Sequence, residues 1–190
     1  MTVFLLDMTS PAPPGAVVID TTSRATGWSK FLSPFYLGPV ELYGGFSAKK
    51  VESGYQCSKL FAEHADAQAN PTAAYWAWAK AGWANPRAVR YPMGKGREPI
   101  CSLWNGKRLS YIEARKQIYI PLYWKAACES HAWTELVEQA RAHEHIALRS
   151  FDVYDYRRLA MSLADVVNNE DRKMGHGFVL LMLLEEIGIR

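Results

Sequence analysis

Apolar and polar positions alternate along this chain with two different periods, and the periods predict helices joined by a few short strands. The runs Thr2-Val3-Phe4-Leu5-Leu6 and Val17-Val18-Ile19-Asp20 flank the proline-rich turn Ser10–Gly15 and predict two strands. From Ser47 to about Asp66 the spacing predicts a helix. Val51, Tyr55, Cys57, Leu60, Phe61, Ala62 and His64 cover a wide arc of it, and Glu52, Gln56, Lys59 and Glu63 share a narrow polar one. Asn70 as N-cap and Pro71 as first helical residue announce a second helix through AAYWAWAKAGW, stopped at Asn85-Pro86. Arg87 to Lys107 is punctuated by glycine and reads as an ordered loop. Ser110 and Glu113 then form a capping box ahead of an apolar stripe at Tyr111, Ile112, Ile118, Tyr119, Leu122, Tyr123, Ala126 and Ala127, with a kink expected at Pro121. A helix over Ala132–His143, a strand in HIALRSF and a strongly apolar helix over Gly177–Ile187 complete the chain. No repeat or linker divides it, so residues 1–190 are expected to form one α+β domain dominated by helices.

Composition narrows the functions open to such a domain. Of 190 residues, 49% are hydrophobic and 22% charged, enough for a core and too apolar for disorder. The net charge of +3 is too small for a protein that coats DNA. Cys57, Cys101 and Cys128 are odd in number and lack a CxxC pair, which suits reduced thiols in the cytoplasm. The N-terminus lacks a basic region before its short apolar run, and no membrane span is expected. Seven Trp, ten Tyr and seven Phe make an aromatic fraction of 13%, which suits a pocket for a flat ligand as well as a core.

Candidate chemistry falls in five places. Arg87, Arg90, Lys95, Arg97, Lys107 and Arg108 stand against the single acid Glu98, so this segment carries +5 while the other 16 basic and 18 acidic residues leave −2. Gly94 and Gly96 would let backbone N–H groups approach an anion there, although the Walker A spacing is missing and a solvated basic loop is the simpler alternative. Arg115 lies on an apolar stripe and must be held by an internal carboxylate or by a ligand. Glu52, Gln56 and Lys59 face either a cleft or bulk water; in a cleft, Glu52 becomes an acid or base. Asp152, Tyr154, Asp155 and Tyr156 follow a strand end, as active-site carboxylates often do and as turn residues also do. Lys173 to Gly177 opens the last helix, where His176 meets either an anion or nothing. HExxH, GxSxG and His/Cys clusters at ligand spacing are all missing, so neither a metal nor a serine nucleophile is expected.

In order along the chain, these pieces resemble the NADAR superfamily, named for its inferred link to NAD and ADP-ribose. Phe31-Leu32-Ser33-Pro34-Phe35 stands where that family has an LSNF-like segment, and Glu52, Tyr55, Gln56 and Lys59 match its Glu-Tyr-Gln-Lys helix. Asp152-Val153-Tyr154-Asp155 stands at its acidic motif, and Gly175-His176-Gly177-Phe178-Val179-Leu180-Leu181-Met182 at its final glycine-led segment. The resemblance spans most of residues 31 to 187. It implies an N-glycosidase acting on a phosphorylated ribosyl-base or an ADP-ribosyl conjugate such as ADP-ribosylated guanine, possibly on nucleic acid. Cleavage builds positive charge on the ribose, so one carboxylate is expected to stabilise it or activate water while an acid or hydrogen bond helps the base depart, and Glu52 and Asp155 are the residues expected in those two roles. Ser33, Phe35, Gln56, Lys59, Arg115 and His176 are expected to bind substrate. Trp104 or Tyr154 would stack on the base, and Arg90, Lys95 and Arg97 would hold phosphate. No cofactor is required. The alternatives are a non-catalytic binder of a nucleotide or nucleic-acid end, and a scaffold whose aromatic surface contacts another protein.

Overall fold

The N-terminal apolar runs do form strands, β1 (Thr2–Leu6) and β2 (Val17–Asp20), but they do not pair with one another. A later strand, β8 (His145–Arg149), lies between them, and all three run parallel in the order β1-β8-β2. The central strand accordingly buries Ile146, Ala147 and Leu148 in succession, as a parallel strand covered on both faces does. The computed structural model describes residues 2–189. The chain is a helix-dominated α+β fold made of two compact units. One comprises residues through Pro34 with those from Tyr123 onward, and the other comprises Phe35–Leu122.

In the first unit, α5 (His131–Ala142) packs on β8 and on the 3-10 turn Trp28–Leu32, and α7 (His176–Glu186) packs on β1. The short helix α6 (Leu163–Asn168), unforeseen in the sequence, begins at a Ser162–Asp165 capping box.

In the second unit, β3 (Val40–Glu41) and β4 (Ser47–Ala48) form a hairpin that packs on α1 (Val51–Gln56) and α2 (Ala73–Ala84). The expected helix over Ser47–Asp66 is therefore much shorter. Ser58 Oγ donates to the Tyr55 carbonyl at 2.7 Å, competing with helix propagation. The chain then turns into β5 (Lys59–Leu60), which pairs with β6 (Cys101–Trp104), and into the 3-10 turn Ala62–His64. α2 begins at Ala73, two residues after the expected Pro71; Thr72 holds the N-cap position without a side-chain cap, its hydroxyl donating to the His64 carbonyl, and Asn70 is engaged with Asp66.

The supposed loop ends earlier than expected, since β6 and β7 (Lys107–Leu109) form a hairpin. Its two-residue turn is Asn105-Gly106, with φ of 47° and 77°, the left-handed pair that a tight hairpin needs. The Ser110–Glu113 capping box opens α3 (Tyr111–Ala114), which passes through a π turn at Arg115–Tyr119 into α4 (Ile120–Cys128). Pro121 is the second residue of α4, just past the wide turn; having no N–H, it cannot donate in the tighter hydrogen-bond ladder. Among the described residues, no helix is long and apolar enough to cross a membrane.

Candidate functional site

Three side chains of the second unit form a continuous polar chain. Lys59 Nζ donates to Gln56 Oε1 at 2.7 Å, and Gln56 Nε2 donates to Glu52 Oε1 at 2.9 Å. Glu52 and Gln56 are four residues apart and share one face of α1. Lys59 lies beyond the helix end, where the chain bends into β5, and reaches back. Glu52 is only 6% exposed, on a helix whose Val51, Ser53, Gly54 and Tyr55 are also buried. Glu52 is thus turned inward, while Gln56 and Lys59 are half-buried and Glu63 is exposed.

Aromatic rings and one guanidinium complete this cluster. Lys59 Nζ lies 4.7 Å from the centre of the Tyr55 ring, and the Tyr55 and Tyr119 rings stand 5.1 Å apart. Arg115, 2% exposed, sits at the start of the π turn with its Cζ 4.7 Å from the centre of the Tyr111 ring. Burial raises the Tyr55 hydroxyl far above the usual tyrosine range; the charges of Tyr111 and Glu52 raise it further and Arg115 opposes them. One phenol thus feels both charges of the cluster, which makes Glu52, Arg115 and Tyr111 its neighbours. Burial, with a smaller push from Glu52 that Lys59 opposes, also drives the nearby Cys57 thiol up to about 12, so it is an inert thiol and not a nucleophile.

The basic segment is exposed, and several of its charges are already engaged. Arg97 pairs with Glu63, Arg108 donates to the Ala69 carbonyl, and the Arg90 guanidinium lies over Tyr91. Lys95 is exposed between Gly94 and Gly96, both at positive φ, in a pair of tight turns. Trp104, expected to stack on a base, is half-buried with its ring 4.8 Å from Tyr43, where it serves hydrophobic packing. Phe35 is half-buried in this same unit.

The other expected residues belong to the first unit. Ser33 is buried just after the 3-10 turn. Asp155 is exposed and accepts the Arg158 N–H at 3.0 Å, as a turn residue does. The Tyr154 ring packs against Phe178 at 4.9 Å, with the Arg172 guanidinium over it. His176 is buried; its Nε2 lies 2.9 Å from the Thr21 carbonyl and 3.1 Å from Thr21 Oγ1, and Ser150 Oγ is 3.3 Å away. Burial lowers its pKa to about 4, so the ring is neutral at pH 7 and acts as a core hydrogen-bonding group. Tyr111, which the sequence places on an apolar stripe, is 43% exposed.

Among the described residues no three His, Cys, Asp or Glu side chains stand together as metal ligands. A depression of about 500 Å³ beside Ala140–Glu144 and Gly188–Ile189 contains none of the candidate residues. What defines the second unit is a buried carboxylate on a polar chain, beside a buried guanidinium and tyrosine rings. Residues 6–167 match the model described as a family of unknown function (DUF6939), and the chain belongs to that family. No curated protein matches it.

Proposed function

We propose that the chain is an N-glycosidase that hydrolyses the bond between ribose and base in a phosphorylated ribosyl-base or an ADP-ribosyl conjugate such as ADP-ribosylated guanine. The observation that carries this reading is the buried Glu52 carboxylate, held at the end of the Lys59–Gln56 hydrogen-bond chain. As the C1′–N bond lengthens, its electron pair leaves with the base and C1′ becomes positive. A carboxylate fixed in a poorly solvated place stabilises that charge far better than one in water. A water molecule then bonds to C1′ and its proton passes to Glu52, while the departing nitrogen takes a proton from solvent. Lys59 and Gln56 hold the carboxylate in position, and Lys95 with its neighbours on the exposed basic segment holds phosphate. Asp155 is given no step, since it serves an exposed turn. The three free thiols support a reducing cytoplasm as the setting.

Release of free base from ribosylaminopyrimidine phosphates and from ADP-ribosylated guanine, followed by mass spectrometry, tests the reading. Glu52→Gln keeps the shape and a hydrogen-bond acceptor while removing the charge. It is expected to lose at least about 100-fold in turnover with little change in binding. Asp155→Asn is expected to turn over like the wild type. Full turnover by Glu52→Gln would remove that residue from the chemistry. Substrates that raise the melting temperature of the wild type without releasing base would make the protein a binder instead.

A further inference from the structure

We infer that Tyr111 is the platform on which the base of the ligand stacks, with Arg115 fixed beneath it. This inference rests on the N-glycosidase reading in that it supplies the ligand with a base, but its evidence is separate. Tyr111 is the first residue of α3, and the capping box just before it, with Ser110 Oγ accepting from the Glu113 N–H and Glu113 Oε2 accepting from the Ser110 N–H, fixes the backbone that carries it. The Arg115 guanidinium, one helical turn further on, lies over the ring at 4.7 Å. Both partners are therefore held before any ligand arrives, and a buried guanidinium on one face makes the ring an ordered surface. The side chain nevertheless remains 43% exposed, so ring surface is left to solvent at the edge of a cluster whose inner members, Glu52, Tyr55 and Arg115, are all buried.

An exposed tyrosine backed by a guanidinium suits a planar heterocycle. Every nucleobase offers a π face, and stacking on tyrosine discriminates flat bases from sugars and phosphates without requiring hydrogen bonds. The platform is joined to the chemistry through Arg115, which lies over Tyr111 and opens the π turn that packs against α1, the helix carrying Glu52. A base on Tyr111 would place its ribose next to this group of side chains. Trp104, the other candidate for stacking, is packed against Tyr43.

Calorimetric titration with guanosine 5′-monophosphate and with ribose 5-phosphate, which lacks the base, separates the possibilities. Guanosine monophosphate should bind the wild type and Tyr111→Phe alike, and Tyr111→Leu at least about 10-fold more weakly, within the range that one stacked base contributes. Ribose 5-phosphate should bind all three proteins equally. In Tyr111→Trp, the new indole should be quenched by guanosine monophosphate and not by ribose 5-phosphate, a readout that does not depend on Tyr111→Leu folding well. Equal affinity of Tyr111→Leu for the nucleotide would overturn the proposal. So would a parallel loss of ribose 5-phosphate binding, or a wild type that does not distinguish the two ligands. The two readings fail separately: Glu52→Gln that keeps turnover removes the catalytic assignment, whereas the binding pattern of the Tyr111 variants stands or falls without any turnover.

Discussion

An ammonium group can only donate hydrogen bonds, and this fixes the direction of the whole polar chain in the second unit. Lys59 must meet the oxygen of Gln56, so the Gln56 nitrogen must face Glu52, and the carboxylate becomes the accepting end. The sequence left Glu52 open as acid or base, and the proposed reaction uses it as the base. His176 illustrates the opposite use of burial. Its ring is buried among Thr21, Ser150 and Tyr123 and is held neutral, with a pKa near 4 against an ordinary 6.5. The unfolded chain therefore takes up a proton on this residue first as the pH falls. Stability from His176 is complete above pH 6.5 and is lost between 6.5 and 4, by about 3 kcal/mol at most. Urea unfolding measured across that window should show the decline in the wild type and a flatter profile in His176→Gln. Equal slopes for the two proteins would show that the ring protonates without cost in the fold.

Helix α7 is positioned by what its neighbours lack. A Cβ on Gly175 would stand 2.0 Å from the Phe151 carbonyl oxygen, and one on Gly177 would stand 2.8 Å from Val153 Cγ1. A backbone oxygen cannot give way, and Gly175 N–H also donates to the Asp152 carbonyl at 2.8 Å. Gly175→Ala is expected to cost at least about 3 kcal/mol or to prevent folding. Gly106→Ala, with open space around it but φ of +77°, should cost only about 1 kcal/mol. Similar melting temperatures for the two variants would refute this distinction. Elements bounded by local signals were legible in the sequence: the Ser110–Glu113 box, the α5 and α7 helices and the β8 strand all lie close to where periodicity put them. The Asn105-Gly106 turn carries an equally local signal, a dipeptide suited to the left-handed pair of a tight hairpin. The true end of α1 was hidden, because it depends on a long-range strand partner, β6, that no helical wheel contains. Even so, the wheel grouped Glu52, Gln56 and Lys59 correctly, since Lys59 reaches back across the bend. The burial of Arg115 followed from its apolar neighbours, while the exposure of Tyr111 depends on how α3 meets the rest of its unit and has no local signature.

The net charge of +3 conceals an uneven division of charge. The second unit carries 12 basic and 6 acidic residues, or +6, and the first carries 10 and 13, or −3. The candidate site thus belongs to the positive unit, which suits a phosphate-bearing ligand and predicts that binding weakens as salt screens the exposed cations. Those cations are not equivalent. Arg97 is already neutralised by Glu63, and Arg108 is spent on the Ala69 carbonyl, whereas Lys95 is exposed between two glycines of positive φ. Lys95→Ala should therefore weaken ADP-ribose binding more than Arg97→Ala does. One exposed charge contact contributes about 1 kcal/mol at most, so the expected loss is about 3- to 5-fold at low salt. The difference between Lys95→Ala and wild type should shrink as potassium chloride is raised, because a screened lysine contributes little even when present. Calorimetry at several salt concentrations, with melting curves to confirm that the fold is unchanged, measures both effects. If Lys95→Ala keeps both the affinity and the salt dependence of the wild type, the basic segment is a solvated turn and phosphate is held elsewhere.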